Sequence, residues 1–268
     1  MTRRSRRSEN SRNNLSLPEA VSFPLTTPDG VVLHVDEYRS DPSRPVVVIG
    51  HGFFQHRRTP RFTRIARAFA SAGYSVIVFD FRGHGQSRGW YTFGRREPAD
   101  LRTILAYARR SYRRVGLVTF SMGASIAIRL LGSHGGADRQ WADALVSVSG
   151  VADLNRVTPF RVWWPSAIHS WWRQLGTPRR FRGLTLHYGK PRALDHVSAL
   201  SPVPVLFLHA ERDWLIEAEH SRMLYERAGV PKQLLLLPGR LHAEELADHD
   251  MPAFLAVCRG WFDRWLTS

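Results

Sequence analysis

The rhythm of the apolar residues constrains this chain more than any other feature. Continuous apolar runs stand at Val46–Gly50, Tyr74–Phe79, Val115–Phe120, Ala144–Val148, Val203–Leu208 and Gln233–Leu237. A run that is apolar at every position suits a strand covered on both faces, the condition of a parallel sheet. Helix-like segments fall among these runs, at Pro60–Ala72, Pro98–Arg110, Ser121–Leu131, Glu217–Ala228 and Met251–Thr267. That alternation predicts an α/β fold, a mostly parallel twisted sheet with helices on both faces. Ahead of it, Val21–Leu25 and Val31–Tyr38 alternate in polarity around Thr27-Pro28-Asp29-Gly30. Asp-Gly after Pro is a turn signal, so an antiparallel hairpin is expected there.

The alternation fails once. Between Gly150 and Ser201 no strand–helix unit fits, and the stretch is rich in tryptophan and arginine. An insertion of this length reads as a cap over the sheet, at about residues 154–200. With 268 residues, 43% of them hydrophobic, the rest can bury one large core. The expected organisation is one domain over 19–268 behind a disordered basic arm, residues 1–18.

Charge and cysteine content narrow the function classes. The single cysteine, Cys258, rules out an intramolecular disulfide framework and a Cys-based zinc site. No apolar run follows the N-terminal arginines, and no segment reaches about 20 uninterrupted apolar residues, so a cytoplasmic protein is expected. The formal charge is +15, and all but Lys190 and Lys232 of the 38 basic residues are arginine. No nucleic-acid-binding signature accompanies them, so solvated arginine faces are expected and no nucleic-acid partner.

The chemistry gathers at loops after the apolar runs. In Val115–Ile128 a strand runs directly into a helix, with Ser121 at the junction and Gly123 two residues on. Such a turn strains the serine backbone and lifts its hydroxyl above the sheet edge. Here Thr-Phe-Ser-Met-Gly resembles the G-x-S-x-G elbow of the α/β-hydrolase superfamily, with Thr119 in place of the first glycine. A β-branched residue at that position needs a neighbour that makes room. Gly50-His51-Gly52-Phe53-Phe54 resembles the superfamily's His-Gly oxyanion loop. The resemblance implies an oxyanion hole built from the amides of Phe53 and Met122. Asp80-Phe81-Arg82-Gly83-His84-Gly85-Gln86-Ser87 resembles the D-x-R-G-x-G-x-S segment of its esterases, lipases and peptidases, and is given a structural role.

The superfamily order is nucleophile, acid, histidine. Asp213 follows the run Val203–Leu208 in a segment similar to G-x-x-D-x-x-V, and His242 follows the last run, three residues past Gly239. The resemblance therefore implies Ser121, Asp213 and His242 as the catalytic triad. Glu211 and Asp153 compete with Asp213. His84, His209, His220 and His249 compete with His242, and packing or solvent-facing roles are expected for His209 and His220.

The implied activity is that of a serine hydrolase needing no metal or organic cofactor, similar to the esterase, monoacylglycerol-lipase and S33-type serine-aminopeptidase branch. Ester cleavage through an acyl-enzyme is the first reading, on a small-molecule substrate with an apolar acyl or aryl group. Thioesterase, amidase, peptidase and acyltransferase chemistry share that route, and a non-catalytic binding protein could use the same scaffold. Phe54, Trp163, Trp164, Trp171, Trp172 and Trp214 are the candidate substrate-binding residues. The cap's aromatic bodies and cationic rim would also suit peripheral contact with an anionic membrane. The oligomeric state is not legible in the sequence.

Overall fold

The structure, a computed structural model, describes residues 19–41, 43–133, 141–157 and 191–266. The expected basic arm and most of the expected cap, with Trp163, Trp164, Trp171 and Trp172, lie outside these residues. So does most of the surface expected to suit a membrane. Among the described residues no helix is long and apolar enough to cross a membrane.

Eight strands form one sheet: β1 (Ala20–Thr26), β2 (Val32–Tyr38), β3 (Val46–Gly50), β4 (Ser75–Phe79), β5 (Val115–Phe120), β6 (Ala144–Val148), β7 (Val205–Ala210) and β8 (Lys232–Leu237). Their spatial order is β1-β2-β4-β3-β5-β6-β7-β8. The hairpin strands β1 and β2 pair antiparallel, β2 pairs antiparallel with β4, and β3 to β8 pair in parallel. Strand β7 starts two residues later than expected, because Pro202 and Pro204 have no N–H to give a ladder there.

Among the described residues six α-helices flank the sheet: α1 (Pro60–Ser71), α2 (Glu97–Ser111), α3 (Met122–Gly132), α4 (Glu219–Arg227), α5 (Glu244–His249) and α6 (Met251–Leu266). Thr59 caps α1, its hydroxyl accepting from the Phe62 N–H, and Pro60 follows at the first helical turn. The short helix α5 is the one the sequence did not signal. At six residues it carries too few turns to show a helical period, and it puts His249 at a helix end rather than at a start.

Strands β3 to β7 are buried on both faces, for the reason their pattern implies, while β8 at the sheet edge is only partly buried. Successive residues of β3 feed opposite cores: Val46 and Val48 pack with Leu101, Ile104 and Leu105 of α2 and with Ile126 and Leu130 of α3. Val47 and Ile49 pack with Phe62, Ile65 and Phe69 of α1 and with Phe254 and Phe262 of α6. Each such side chain contributes about 1.5–3 kcal/mol when fully buried. Ala193, Val197 and Leu200 join the first core beside α3.

The strand order sets where a site forms. From β3 the chain crosses one way to β4 and then back past β3 to β5. In open α/β sheets ligands bind at the carboxyl ends of the strands where the order reverses, here between β3 and β5.

Candidate active site

Ser121 sits where β5 meets α3, with φ 49° and ψ −111°. This left-handed backbone is uncommon for a residue with a Cβ and stores strain at the turn. The Ser121 N–H donates to the Val148 carbonyl at 2.8 Å, tying the turn to β6. Gly123 has to be glycine, since a Cβ there would lie 2.6 Å from the His51 carbonyl oxygen.

Thr119 is accommodated by a neighbour. Gly50 of β3 pairs with it in the parallel register, and a Cβ on Gly50 would come within 3.0 Å of the Thr119 Cγ2. The glycine absent from the elbow thus stands on the adjacent strand.

The three residues expected to form a triad converge. His242 Nε2 lies 3.1 Å from Ser121 Oγ, and its Nδ1 lies 2.8 Å from Asp213 Oδ2 and 3.0 Å from Oδ1. All three are buried. Asp213 Oδ1 also accepts from the Leu215 and Ile216 amides, each at 2.9 Å, which holds the carboxylate in the turn after β7. Burial alone would push Asp213 up, but the His242 charge and the hydrogen bonds from His209 and His242 hold it well below the usual carboxylate range. Burial alone would push His242 down, but the Asp213 charge and hydrogen bond, with Glu244 and Glu245, hold it above its ordinary 6.5.

The histidine loop is braced from two sides. Glu245 Oε2 accepts from the His242 N–H at 2.9 Å and from the Trp214 indole at 2.8 Å. Ala243, the next residue, has φ 47° and ψ −111°, close to the values at Ser121. Its N–H donates to Ser149 Oγ at 3.1 Å, and Ser149 is itself left-handed at φ 47°.

On the other side of Ser121 lies the His51–Phe54 loop. The Phe81 N–H donates to His51 Nε2 at 3.0 Å, so Nδ1 carries the proton and donates to the Gly52 carbonyl at 2.7 Å. Burial pushes His51 down to about 3, so it clamps this loop as a neutral ring. Gly52 packs under the nucleophile: a Cβ there would lie 3.4 Å from Ser121 Cβ. Phe54 turns the chain at φ 60°.

A pocket opens here, lined by Gly52, Phe53, Phe54, Gln55, Trp214 and Leu215 beside Ser121 and His242, with Glu244 and Glu245 on its wall. Phe54 and Trp214 are thus among the expected substrate-binding residues that line it. Met122 is the first residue of α3, directly after the nucleophile.

The rivals stand elsewhere. Asp153 caps a short 3-10 turn, accepting from the Asn155 amide at 2.9 Å, and Glu211 is exposed. His249 is exposed, and His220 Nδ1 accepts from the Ala152 amide. His84 is buried, pushed down to about 3 by that burial, and packs against His51 and Tyr91. The segment around it is a scaffold. Asp80 accepts from the Arg57 and Gln86 amides and pairs with the Arg57 guanidinium, while Arg82 pairs with Asp100 and Asp29.

Tyr91 is buried, its ring centroid 4.9 Å from that of Phe53. His209 was expected only to pack or face solvent. It is buried, with Nε2 3.3 Å from Asp213 Oδ2. Its place at the end of β7, four residues before Asp213, was the available signal.

A sheet reversing at β3 and β5, with a strained serine at the crevice, defines an α/β hydrolase. The chain belongs to the serine aminopeptidase S33 family, Hydrolase_4, whose model matches residues 41–187. It is similar to the Mycolicibacterium smegmatis monoacylglycerol lipase, 27% identical over 241 residues, 76% of this chain and 82% of that one. It is also similar to the uncharacterized protein YqkD of Bacillus subtilis, 29% identical over 183 residues and 65% of this chain. The chain spans 58% of the length of YqkD. Among solved structures, the Pyrococcus furiosus esterase Pf2001 shares the fold, with a TM-score of 0.72 at 22% identity over 92% of this chain and 93% of that one.

Proposed function

We propose that the protein hydrolyses carboxylic esters through Ser121, His242 and Asp213, by way of an acyl-enzyme intermediate. The observation that carries this reading is the His242 ring, spanning Ser121 Oγ at 3.1 Å and Asp213 Oδ2 at 2.8 Å.

A serine hydroxyl is a weak nucleophile near neutral pH, so it needs a base in contact. His242 Nε2 takes the Ser121 proton as Oγ attacks the carbonyl carbon. Asp213 fixes the tautomer with the proton on Nδ1 and stabilises the imidazolium. The amides of Phe53 and Met122 would receive the oxyanion, each contributing about 3 kcal/mol to the transition state. The imidazolium then protonates the leaving alcohol. Water, deprotonated by the same ring, attacks the acyl-enzyme, and the acid departs as Ser121 recovers its proton.

Phe53, Phe54, Trp214 and Leu215 supply an apolar pocket wall, which supports an acyl or aryl group as the bound part. The carboxyl groups of Glu244 and Glu245 oppose an anionic group at the same place, so the expected ester is uncharged there. The likeness to a monoacylglycerol lipase supports esters over amides.

Labelling with a fluorophosphonate tests the reading, comparing the intact protein with Ser121→Ala. Ser121-dependent labelling, with turnover of an uncharged nitrophenyl ester series, is the expected result. A folded protein that does not label at Ser121 would instead be a binding protein on this scaffold. Labelling with turnover confined to thioesters or aminoacyl amides would move the substrate class and keep the mechanism.

A further inference from the structure

His209 is the last residue but one of β7 and is fully buried, yet the triad accounts for neither of its ring nitrogens. Nε2 lies 3.0 Å from the Ile216 carbonyl and 3.3 Å from Asp213 Oδ2, while Nδ1 lies 2.6 Å from Ser221 Oγ. A carbonyl oxygen only accepts, so Nε2 carries the proton and Nδ1 is the bare nitrogen. The Ser221 hydroxyl then donates to Nδ1, and Nε2–H donates to the Ile216 carbonyl, with Asp213 Oδ2 3.3 Å from the same nitrogen. Ser221 is fully buried in α4, so this hydroxyl has no water competing for it.

Asp213 is therefore gripped on both sides. Oδ1 takes the Leu215 and Ile216 amides, and Oδ2 takes His242 on one flank and His209 on the other. The backbone amides alone fix one oxygen and leave the carboxylate free to turn about it. The positive Nε2–H edge of His209 beside Oδ2 opposes that turn and keeps the oxygen aimed at His242 Nδ1.

We propose that His209 and Ser221 are positioning residues for the triad: the Ile216 carbonyl sets the His209 tautomer, Ser221 anchors its bare Nδ1, and His209 orients Asp213 toward His242. This rests on the ester-hydrolase reading for its kinetic consequence. A ring that merely filled the core would need neither nitrogen. A group steering the acid changes turnover, because small misplacements of catalytic groups cost about 10- to 100-fold.

The experiment uses three variants of the full chain with p-nitrophenyl butyrate as probe. His209→Phe keeps a ring and deletes both nitrogens. His209→Gln keeps a donor near the Nε2 position, and Ser221→Ala removes the hydroxyl that anchors Nδ1. The expected result is a fall in kcat of about 10- to 100-fold in His209→Phe, with KM within about twofold. His209→Gln recovers most of that loss, and Ser221→Ala shows a smaller fall in the same direction.

The low-field proton resonance of His242 Nδ1–H gives a readout that does not need turnover. It is expected to shift or broaden in His209→Phe and to persist in His209→Gln. An unchanged kcat in a folded His209→Phe, or an equal loss in His209→Phe and His209→Gln, overturns the proposal. Should His209→Phe fail to fold, the comparison of His209→Gln with Ser221→Ala decides: equal, large losses overturn it. If the wild type turns over no ester, the function reading fails, and the resonance alone decides: unchanged in His209→Phe, it overturns this one too.

Discussion

Thr119 and Gly50 face each other across the β3–β5 pair, where a Cβ on Gly50 would lie a tight 3.0 Å from the Thr119 Cγ2. The nucleophile elbow tolerates its β-branched residue because the strand that carries the oxyanion loop has none opposite. Gly50→Ala should therefore strain the elbow by overpacking, lowering stability by about 1–3 kcal/mol. Adding Thr119→Ser, which removes the opposing methyl, should recover most of the loss. Urea unfolding of the two singles and the double measures the coupling.

The strain at Ala243 is held by one hydrogen bond, from its N–H to Ser149 Oγ. Ser149→Ala leaves that buried donor without its acceptor, at a cost of about 1–3 kcal/mol. Because Ala243 follows His242 directly, kcat should fall too. Steady-state kinetics beside chemical denaturation would report both, and a stability loss with full kcat would detach Ser149 from the histidine loop.

The pH profile follows from the charge around His242. Only the neutral imidazole can accept the Ser121 proton, and its pKa is raised, so kcat/KM should climb with pH through a limb above 6.5. Asp213→Asn removes the first of the charges that raise it. The limb should move down in pH while kcat drops by up to about 10⁴-fold, through loss of the oriented tautomer. For stability the sign is opposite at the two groups. The contribution of Asp213, whose pKa is lowered, is present above its unfolded value of 3.8 and is lost as pH falls below it. That of His242 is present below 6.5 and fades as pH rises through the raised value.

Arg82 ties the hairpin turn at Asp29 to Asp100 of α2, and both Arg82 and Asp100 are almost fully buried. Arg82→Leu strands the Asp100 carboxylate in the core. The expected loss is about 3–5 kcal/mol, since a buried charge stripped of its partner costs more than the pair contributes. Thermal and urea unfolding would show it, and a near-neutral result would mean that the loop relaxes to let in water.

The parts of this protein that repeat a physical rule could be read from its residues. Continuous apolar runs identified six parallel strands, because burial on both faces leaves no place for polar alternation. Ser121, Asp213 and His242 could be named because each follows its own strand. Contacts between strands could not. That Gly50 opposes Thr119 depends on register, and that His209 meets Asp213 depends on a turn folding back through Ile216. Helix α5 is not legible in the sequence because six residues are too few to show a period.

The most direct test is to quench the protein during turnover of a slow nitrophenyl ester, weigh it intact, and map the adduct. The account predicts one acyl group, carried on Ser121 and absent from Ser121→Ala, that forms more slowly in His242→Ala. Ester turnover with no acylated protein, or with the acyl group on another residue, would contradict it.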